Sequence, residues 1–360
     1  MATTSVPAGL TVQQWDDMYF TDYVNQNFFK KFMGTGQNSM IQVREDLTRK
    51  PGGSITYSLV NRLTGAAKDQ NETLEGAEQD AKLRSQEVTI REYATAVRWK
   101  TFDEQLTAID LRQAHKDILM TWNQELDRDL VIEALGTING TIFGDADDTA
   151  RDAWLVDNAD RVLFGASVGN NAVNDFSIAL DTIDNTNDKC TPGALSLMKR
   201  LAKTASPKIR PYKVKNAIEK SDAYIVFMPS LVLRDLVNDS TFTQANREAR
   251  QRGMDNPLFN SADYIWDNLF IYEIEDIAVT TNSSIDVAPV YLCGAQALGQ
   301  AWAKRPQTVD DTFDYGRSKG CAIKEWMKLE KLRFGSGATD TDDPKDCGIV
   351  TGWFASVADS

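Results

Sequence analysis

The sequence predicts an α+β chain in which strand-like and helical segments are mixed along its length. Three observations carry this. Strand-like alternation at 54–60 and 87–99 is followed by helical periodicity from 104 to 138. Short apolar runs then interleave with helical segments that carry start and stop signals. No GxGxxG or P-loop marks a doubly wound nucleotide fold.

The first element is aromatic. Trp15, Tyr19, Phe20, Tyr23, Phe28, Phe29 and Phe32 fall largely at three- and four-residue spacing. Thr11 serves as an N-cap, and Gly34 and Gly36 end the segment, which predicts an amphipathic helix from 12 to 33. Its apolar face docks either on its own domain or on a neighbouring subunit.

A long hairpin follows. Pro51-Gly52-Gly53 breaks the chain, and Ser54 to Val60 alternates with Ile55, Tyr57 and Leu59 on one face. A second strand runs from Glu87 to Trp99, with Val88 and Ile90, then Val97 and Trp99, at alternate positions. The segment between is polar and broken by Gly65 and Gly76; Lys68 to Lys82 holds five acids against two bases. A loop this long tends to be functional. A two-stranded arm buries little surface by itself and needs something to lie on.

Residues 104–138 predict one long helix. Leu111, His115, Ile118, Trp122, Leu126, Leu130 and Ala134 recur almost every fourth position, and Leu106, Ile109, Leu119, Val131, Leu135 and Ile138 widen the stripe. At about 1.5 Å per residue the rod is about 50 Å long. It lacks a strict heptad, which favours a spine packed on a sheet over a coiled coil. From Gly136 to Asp188 the chain reads as loop-rich. Helices are then expected at 191–203, 230–237, 241–252 and 294–303, and strands at 223–228, 269–274, 290–293, 320–333 and 348–356.

Composition narrows function. The 360 residues correspond to two or three domains of roughly 150 residues, or one large elaborated one. Hydrophobic residues make up 42%, enough for a core, and charged residues 25%. The 39 basic and 52 acidic side chains leave a formal charge of -13, which disfavours nucleic-acid binding overall. That charge is uneven. Glu104 to Asp184 carries 16 acids and 5 bases, whereas Lys199 to Lys220 carries eight bases and one acid. The basic run has one aromatic, Tyr212, so it reads as a solvated face or a contact with an acidic neighbour, not a base-stacking platform. No apolar run is long enough for a transmembrane helix, and the first residues lack a signal-peptide pattern.

Catalytic chemistry finds little support. His115, the one histidine, lies on the apolar helix stripe, and neither GxSxG nor HExxH occurs. Cys190, Cys293, Cys321 and Cys347 are widely spaced and read as free buried thiols. The clusters Asp145, Asp147, Asp148 and Asp340, Asp342, Asp343 offer oxygens to Mg²⁺ or Ca²⁺, but neither matches an EF-hand loop, so both read as solvated loops.

Several stretches together resemble a known family: Ile55-Thr-Tyr-Ser-Leu-Val-Asn-Arg-Leu-Thr-Gly65, Glu72-Thr-Leu-Glu-Gly76, Ala96-Val-Arg-Trp-Lys100, Tyr291-Leu-Cys-Gly-Ala-Gln-Ala-Leu-Gly299 and Phe313-Asp-Tyr-Gly316. Their order is similar to that in tailed-phage major capsid (coat) proteins of the kind typified by short-tailed phages of the N-four type. The resemblance implies the Johnson, or Hong Kong type, fold. Residues 1–50 would be the N-terminal arm and 51–100 the extended loop. Residues 101–190 would form the peripheral domain with its spine helix, and 191–360 the axial domain, with strands returning to the peripheral domain.

It further implies a structural, non-enzymatic protein without cofactor or metal, assembling into hexamers and pentamers of an icosahedral shell around double-stranded DNA. Its partners would be copies of itself, portal protein, and scaffolding or decoration proteins, with no membrane. It would reside in the virion capsid after assembly in the host cytoplasm. Candidate inter-subunit contacts are Trp15, Tyr19, Phe28, Phe29 and Phe32 in the arm and Leu63, Thr64, Leu74 and Glu75 in the loop. Lys199, Arg200, Lys208 and Arg210 in the basic run complete the set. No Lys-Asn-Glu set for covalent crosslinking is identifiable. The alternatives are a nanocompartment (encapsulin-like) shell of the same fold and a cytoplasmic metal-dependent hydrolase using the Asp-rich loops.

Overall fold

The computed structural model describes residues 28–48, 52–60, 66–70, 73–75, 78, 83–107, 109–171, 173–213, 222–250, 264–282, 284–337 and 339–358. The expected helix at 12–33 lies mostly outside them. Its described end, Phe28–Phe32, is a single 3₁₀ turn followed by a short strand, Met33–Gly34.

The chain forms two compact units. The first contains 91–128 and 304–327; the second contains 29–90, 129–303 and 328–358. In the first, strand Ser318–Lys331 pairs antiparallel with Arg91–Lys100, from Ser318 opposite Lys100 to Met327 opposite Arg91. Trp99, Leu119, Cys321 and Ile323 form its core, with Val97, Leu111 and Trp122 at the edge.

The single rod expected from 104 to 138 is two helices, Thr101–Leu106 and Leu111–Gly136. The break has a local cause. The Asp110 carboxylate accepts from the backbone N–H groups of Arg112 at 3.1 Å and Gln113 at 3.2 Å, capping a new helix. The buried stripe keeps Leu119, Val131, Ala134 and Leu135 of the expected one, with Ile132 added and two expected members lost. Leu119, Val131, Ile132, Ala134 and Leu135 are buried, whereas Leu106 and Ile118 are exposed.

The second unit is built on a mixed sheet. Its strands run in the order Val162–Phe164, Ile349–Ala355, Asp286–Cys293, Asp222–Met228, Leu269–Glu273, Tyr264–Trp266. The strand Ile349–Ala355 is buried throughout, and Asp222–Met228 is buried after its first residue. Such continuous apolar strands need cover on both faces. Helices Pro192–Thr204 and Ser230–Asn238 supply one side, packing Leu195, Met198, Val232 and Leu236 with Val226, Leu292 and Val350. Trp154, Phe164, Phe176 and Trp353 form a second cluster under helices Asp148–Asp157 and Phe176–Asp181. These helices, with strand Val162–Phe164, fill a region expected to be loop-rich. Asp147, expected on a solvated loop, caps the first by accepting from Ala150 N–H at 2.7 Å, and Asp175 caps the second.

The long hairpin is as expected at its first strand, Ser54–Val60. Its partner, however, is Leu83–Thr89, registered from Ser54 opposite Thr89 to Val60 opposite Leu83. The expected single strand 87–99 is therefore two strands that part at Ile90, one in each unit. The expected helix at 294–303 is instead the start of a long strand, Leu298–Phe313, whose first residues pair in parallel with Ile41–Arg44. Ala and Leu there favour a helix locally, and pairing overrides that weak preference. Gly299 marks the reason: a Cβ on it would lie 2.9 Å from the Tyr57 ring of the hairpin and 2.8 Å from Leu332.

Candidate assembly surfaces

The hairpin is anchored at its base and uncovered towards its tip. Ile55, Tyr57 and Val88 are buried with Ala301, Leu332 and Phe334. The Tyr57 hydroxyl reaches the carbonyl of Gln300 at 2.9 Å, and burial pushes its pKa upward. Gln86 donates to Lys331 O at 3.0 Å and accepts from Arg333 N–H at 2.8 Å. The loop after Gly335 holds the outer strand: Ser85 Oγ donates to Asp340 at 2.6 Å, and Arg84 bonds the Gly337 carbonyl. The Ser85 hydrogen bond holds the Asp340 carboxyl below its ordinary range. One member of an acidic cluster expected to be a solvated loop thus ties down the arm.

Beyond this anchor the apolar side chains lose their cover. Val60 is 67% exposed and Leu83 66% at the far end of the ribbon, and Leu74 is 71% exposed. Glu75 is exposed beside it. Leu63 and Thr64 lie outside the described residues, as do Trp15 and Tyr19. Phe28 opens the 3₁₀ turn.

Phe29 and Phe32 do not offer a surface to a neighbour. Both are buried at home, edge-on to Phe227 at 5.4 and 5.8 Å, with Phe32 also 5.2 Å from Tyr272. Lys199 is likewise corrected: it is buried on helix Pro192–Thr204, and its Nζ lies 2.7 Å from the Asp267 carboxylate. Arg200, Lys208 and Arg210 are exposed, and Lys203 joins them. Arg210 bonds Gln37 and Gln296, while its carbonyl accepts from Ala295 N–H, so its position is set by the body. The helix owes its start to Thr191, which accepts from Ala194 N–H, with Pro192 in the first turn.

Residue spacing did not mark four exposed apolar side chains. Phe102, Leu106, Ile118 and Met120 of the first unit are all more than half exposed.

Nucleophilic chemistry gains no support from the thiols. Burial pushes Cys190 and Cys293 upward, and Cys347 up to about 11, so all three stay protonated near neutrality. The His115 ring packs 4.8 Å from Trp99. Among the described residues no group of three or more His, Cys, Asp or Glu side chains is arranged to hold a metal ion, and no helix is long and apolar enough to cross a membrane.

A family model described as phage capsid protein matches residues 3–357. The chain belongs to the phage capsid protein family. The capsid protein is 26% identical over 384 residues to the major capsid protein of Pseudomonas phage KPP25, with 97% of each chain covered. The capsid asymmetric unit of cyanophage Pam1 matches at 28% identity and a TM-score of 0.86, covering 100% of both chains. The capsid of Ralstonia phage GP4 shares the fold at a TM-score of 0.77 and 20% identity, again over 100% of both. The fold is thus the tailed-phage capsid fold. The role is that of a major capsid protein, a structural subunit that assembles with its copies into the phage capsid. An encapsulin of Synechococcus elongatus also shares the fold, at a TM-score of 0.50 and 10% identity. The fold is therefore common to both kinds of shell, and the family match favours the phage capsid.

Proposed function

We propose that the capsid protein forms hexamers and pentamers of an icosahedral shell around double-stranded DNA, assembled in the host cytoplasm with portal and scaffolding or decoration proteins. In this proposal 1–50 is the arm, 51–100 the extended loop, 101–190 the peripheral domain and 191–360 the axial domain with strands returning. The shell acts without catalysis. The observation that carries the reading is the hairpin, clamped at its base and apolar but uncovered at Val60, Leu74 and Leu83. Its distal part lies over an adjacent subunit, with Leu63, Thr64, Leu74 and Glu75 at the contact. Trp15, Tyr19 and Phe28 make the arm's contacts. Arg200, Lys208 and Arg210 meet acidic surface on a neighbour, and many such modest contacts add up in a closed shell. Net negative charge keeps packaged DNA from adhering to the wall.

Deleting residues 63–82, which leaves the paired strand Leu83–Thr89 and its anchors in place, tests this. The variant should remain folded by circular dichroism yet run as small species on size exclusion, with no shells in negative stain. Shells in parental yield from the variant would refute the loop assignment.

A further inference from the structure

The first unit holds an ionisable side chain in its interior. Glu325 sits on strand Ser318–Lys331 and is fully buried, in alternation with buried Cys321, Ile323 and Met327. Facing it from helix Leu111–Gly136 are Asn123 and Asp127, one turn apart. Asn123 Nδ2 donates to Glu325 Oε2 at 3.3 Å. Glu325 Oε1 and Asn123 Oδ1 are both buried without a hydrogen-bond partner. On the other flank, Tyr93 of strand Arg91–Lys100 is the cross-strand neighbour. Asp127, of the same sign, acts on Glu325 from the helix. An ionised Glu325 would therefore add a second negative charge to a buried seam, with the Asn123 amide as the donor facing it.

We propose that Glu325 is a proton-operated latch between strand and helix: the neutral acid satisfies a buried acceptor in the seam, and loss of its proton loosens the helix from the strand. Loss of cover by water, then repulsion from Asp127, push the carboxyl up to about 7, against the smaller opposite effect of the Asn123 hydrogen bond. The sign follows from linkage. A glutamate of the unfolded chain titrates near 4.3. Stability from the latch is therefore full below that pH, is lost as pH rises from about 4 to about 7, and stays lost above. The expected fall in the folded-to-unfolded ratio is of the order of a hundredfold. Such a subunit is more tightly locked in mild acid than at neutral pH.

The test is hydrogen exchange read by mass spectrometry on the full-length protein, corrected for the intrinsic pH dependence of exchange. Between about pH 5.5 and pH 8.5, peptides from 111–128 and 318–327 should lose protection at least about tenfold. Peptides from 222–228 and 349–355 should hold theirs. Glu325→Gln, an uncharged isostere, should keep the seam protected at both pH values. A flat profile in the parent, or a Glu325→Gln profile that falls like the parent's, would overturn the proposal. If that variant does not fold, infrared spectroscopy of the parent decides the matter. A buried protonated carboxyl band present at pH 6 and gone by pH 8.5 supports the latch, and a band absent at pH 6 or unchanged at pH 8.5 refutes it.

Discussion

The buried Lys331–Asp346 pair in the second unit offers a sharp test of what holds the body together. Lys331 Nζ lies 3.0 Å from Asp346 Oδ2 and donates to the Thr137 carbonyl at 2.9 Å. Trp154 Nε1 donates to the same carboxylate at 3.1 Å. Both charged side chains are 4% exposed. Asp346→Ala leaves the ammonium buried with a neutral carbonyl and deprives Trp154 of its acceptor. Removing one partner of such a pair costs about 3–5 kcal/mol. Against a typical domain stability of about 5–15 kcal/mol, that is a large fraction. Replacing both charges, as Lys331→Met with Asp346→Leu, removes the stranded ion and leaves the Trp154 N–H and the Thr137 carbonyl without their partners; the first costs about 1–3 kcal/mol and the second less, because Thr137 is half-buried and within reach of water. The double variant should therefore be more stable than Asp346→Ala alone. Urea unfolding of the subunit, followed by tryptophan fluorescence, measures all three. An Asp346→Ala loss below about 1 kcal/mol, or a double variant no better than the single, would refute the view that desolvated charge dominates here.

Two further substitutions probe the anchors. Tyr57→Phe removes the donor to Gln300 O and should cost about 1–2 kcal/mol, seen as faster amide exchange in 54–59 and 84–89 while the sheet of the second unit is unchanged. Gly165→Ala should cost more than about 2 kcal/mol in thermal or urea unfolding. Its φ is +58°, and an added Cβ would fall 2.0 Å from Asp188 Oδ1, the atom that accepts from Ala166 N–H.

Elements whose side chains alternate in environment were legible in the sequence. Ser54–Val60 was located because Ile55 and Tyr57 face the body while Thr56 and Ser58 face out. Strands 222–228 and 349–355 were legible as apolar runs, and helix 192–204 from Thr191-Pro192. The helix break at Asp110 has its local cap as the cause, but the other failures argued here come from a distant partner. Leu298–Phe313 begins in helix-forming residues, but Met40 O accepts from Ala297 and Leu298 N–H and draws the chain into a parallel ladder. Phe29 and Phe32 look like a docking face until Phe227 and Tyr272 supply their cover. Glu325 reads as one polar residue in a charged strand, and only its phase with Ile323 and Met327 puts it inside.

The candidate surfaces were legible to the extent that they lacked such a partner. The hairpin tip was marked by length and polarity, properties no fold of the same chain cancels. Its energetics then follow from where burial stops. The base is held by the Tyr57, Gln86 and Ser85 hydrogen bonds and by the packing of Ile55 and Val88. From Leu59 outward the ribbon keeps its paired backbone but covers little apolar surface. A two-stranded ribbon without a packed face is marginal in water. Burying Val60 and Leu83 more fully on a neighbour would contribute roughly 1.5–3 kcal/mol for each side chain. No single contact of that size holds two subunits together against the entropy of association. Repeated around a closed shell, each copy would both give and receive it, and the sum would favour assembly over the free subunit without requiring any one contact to be strong.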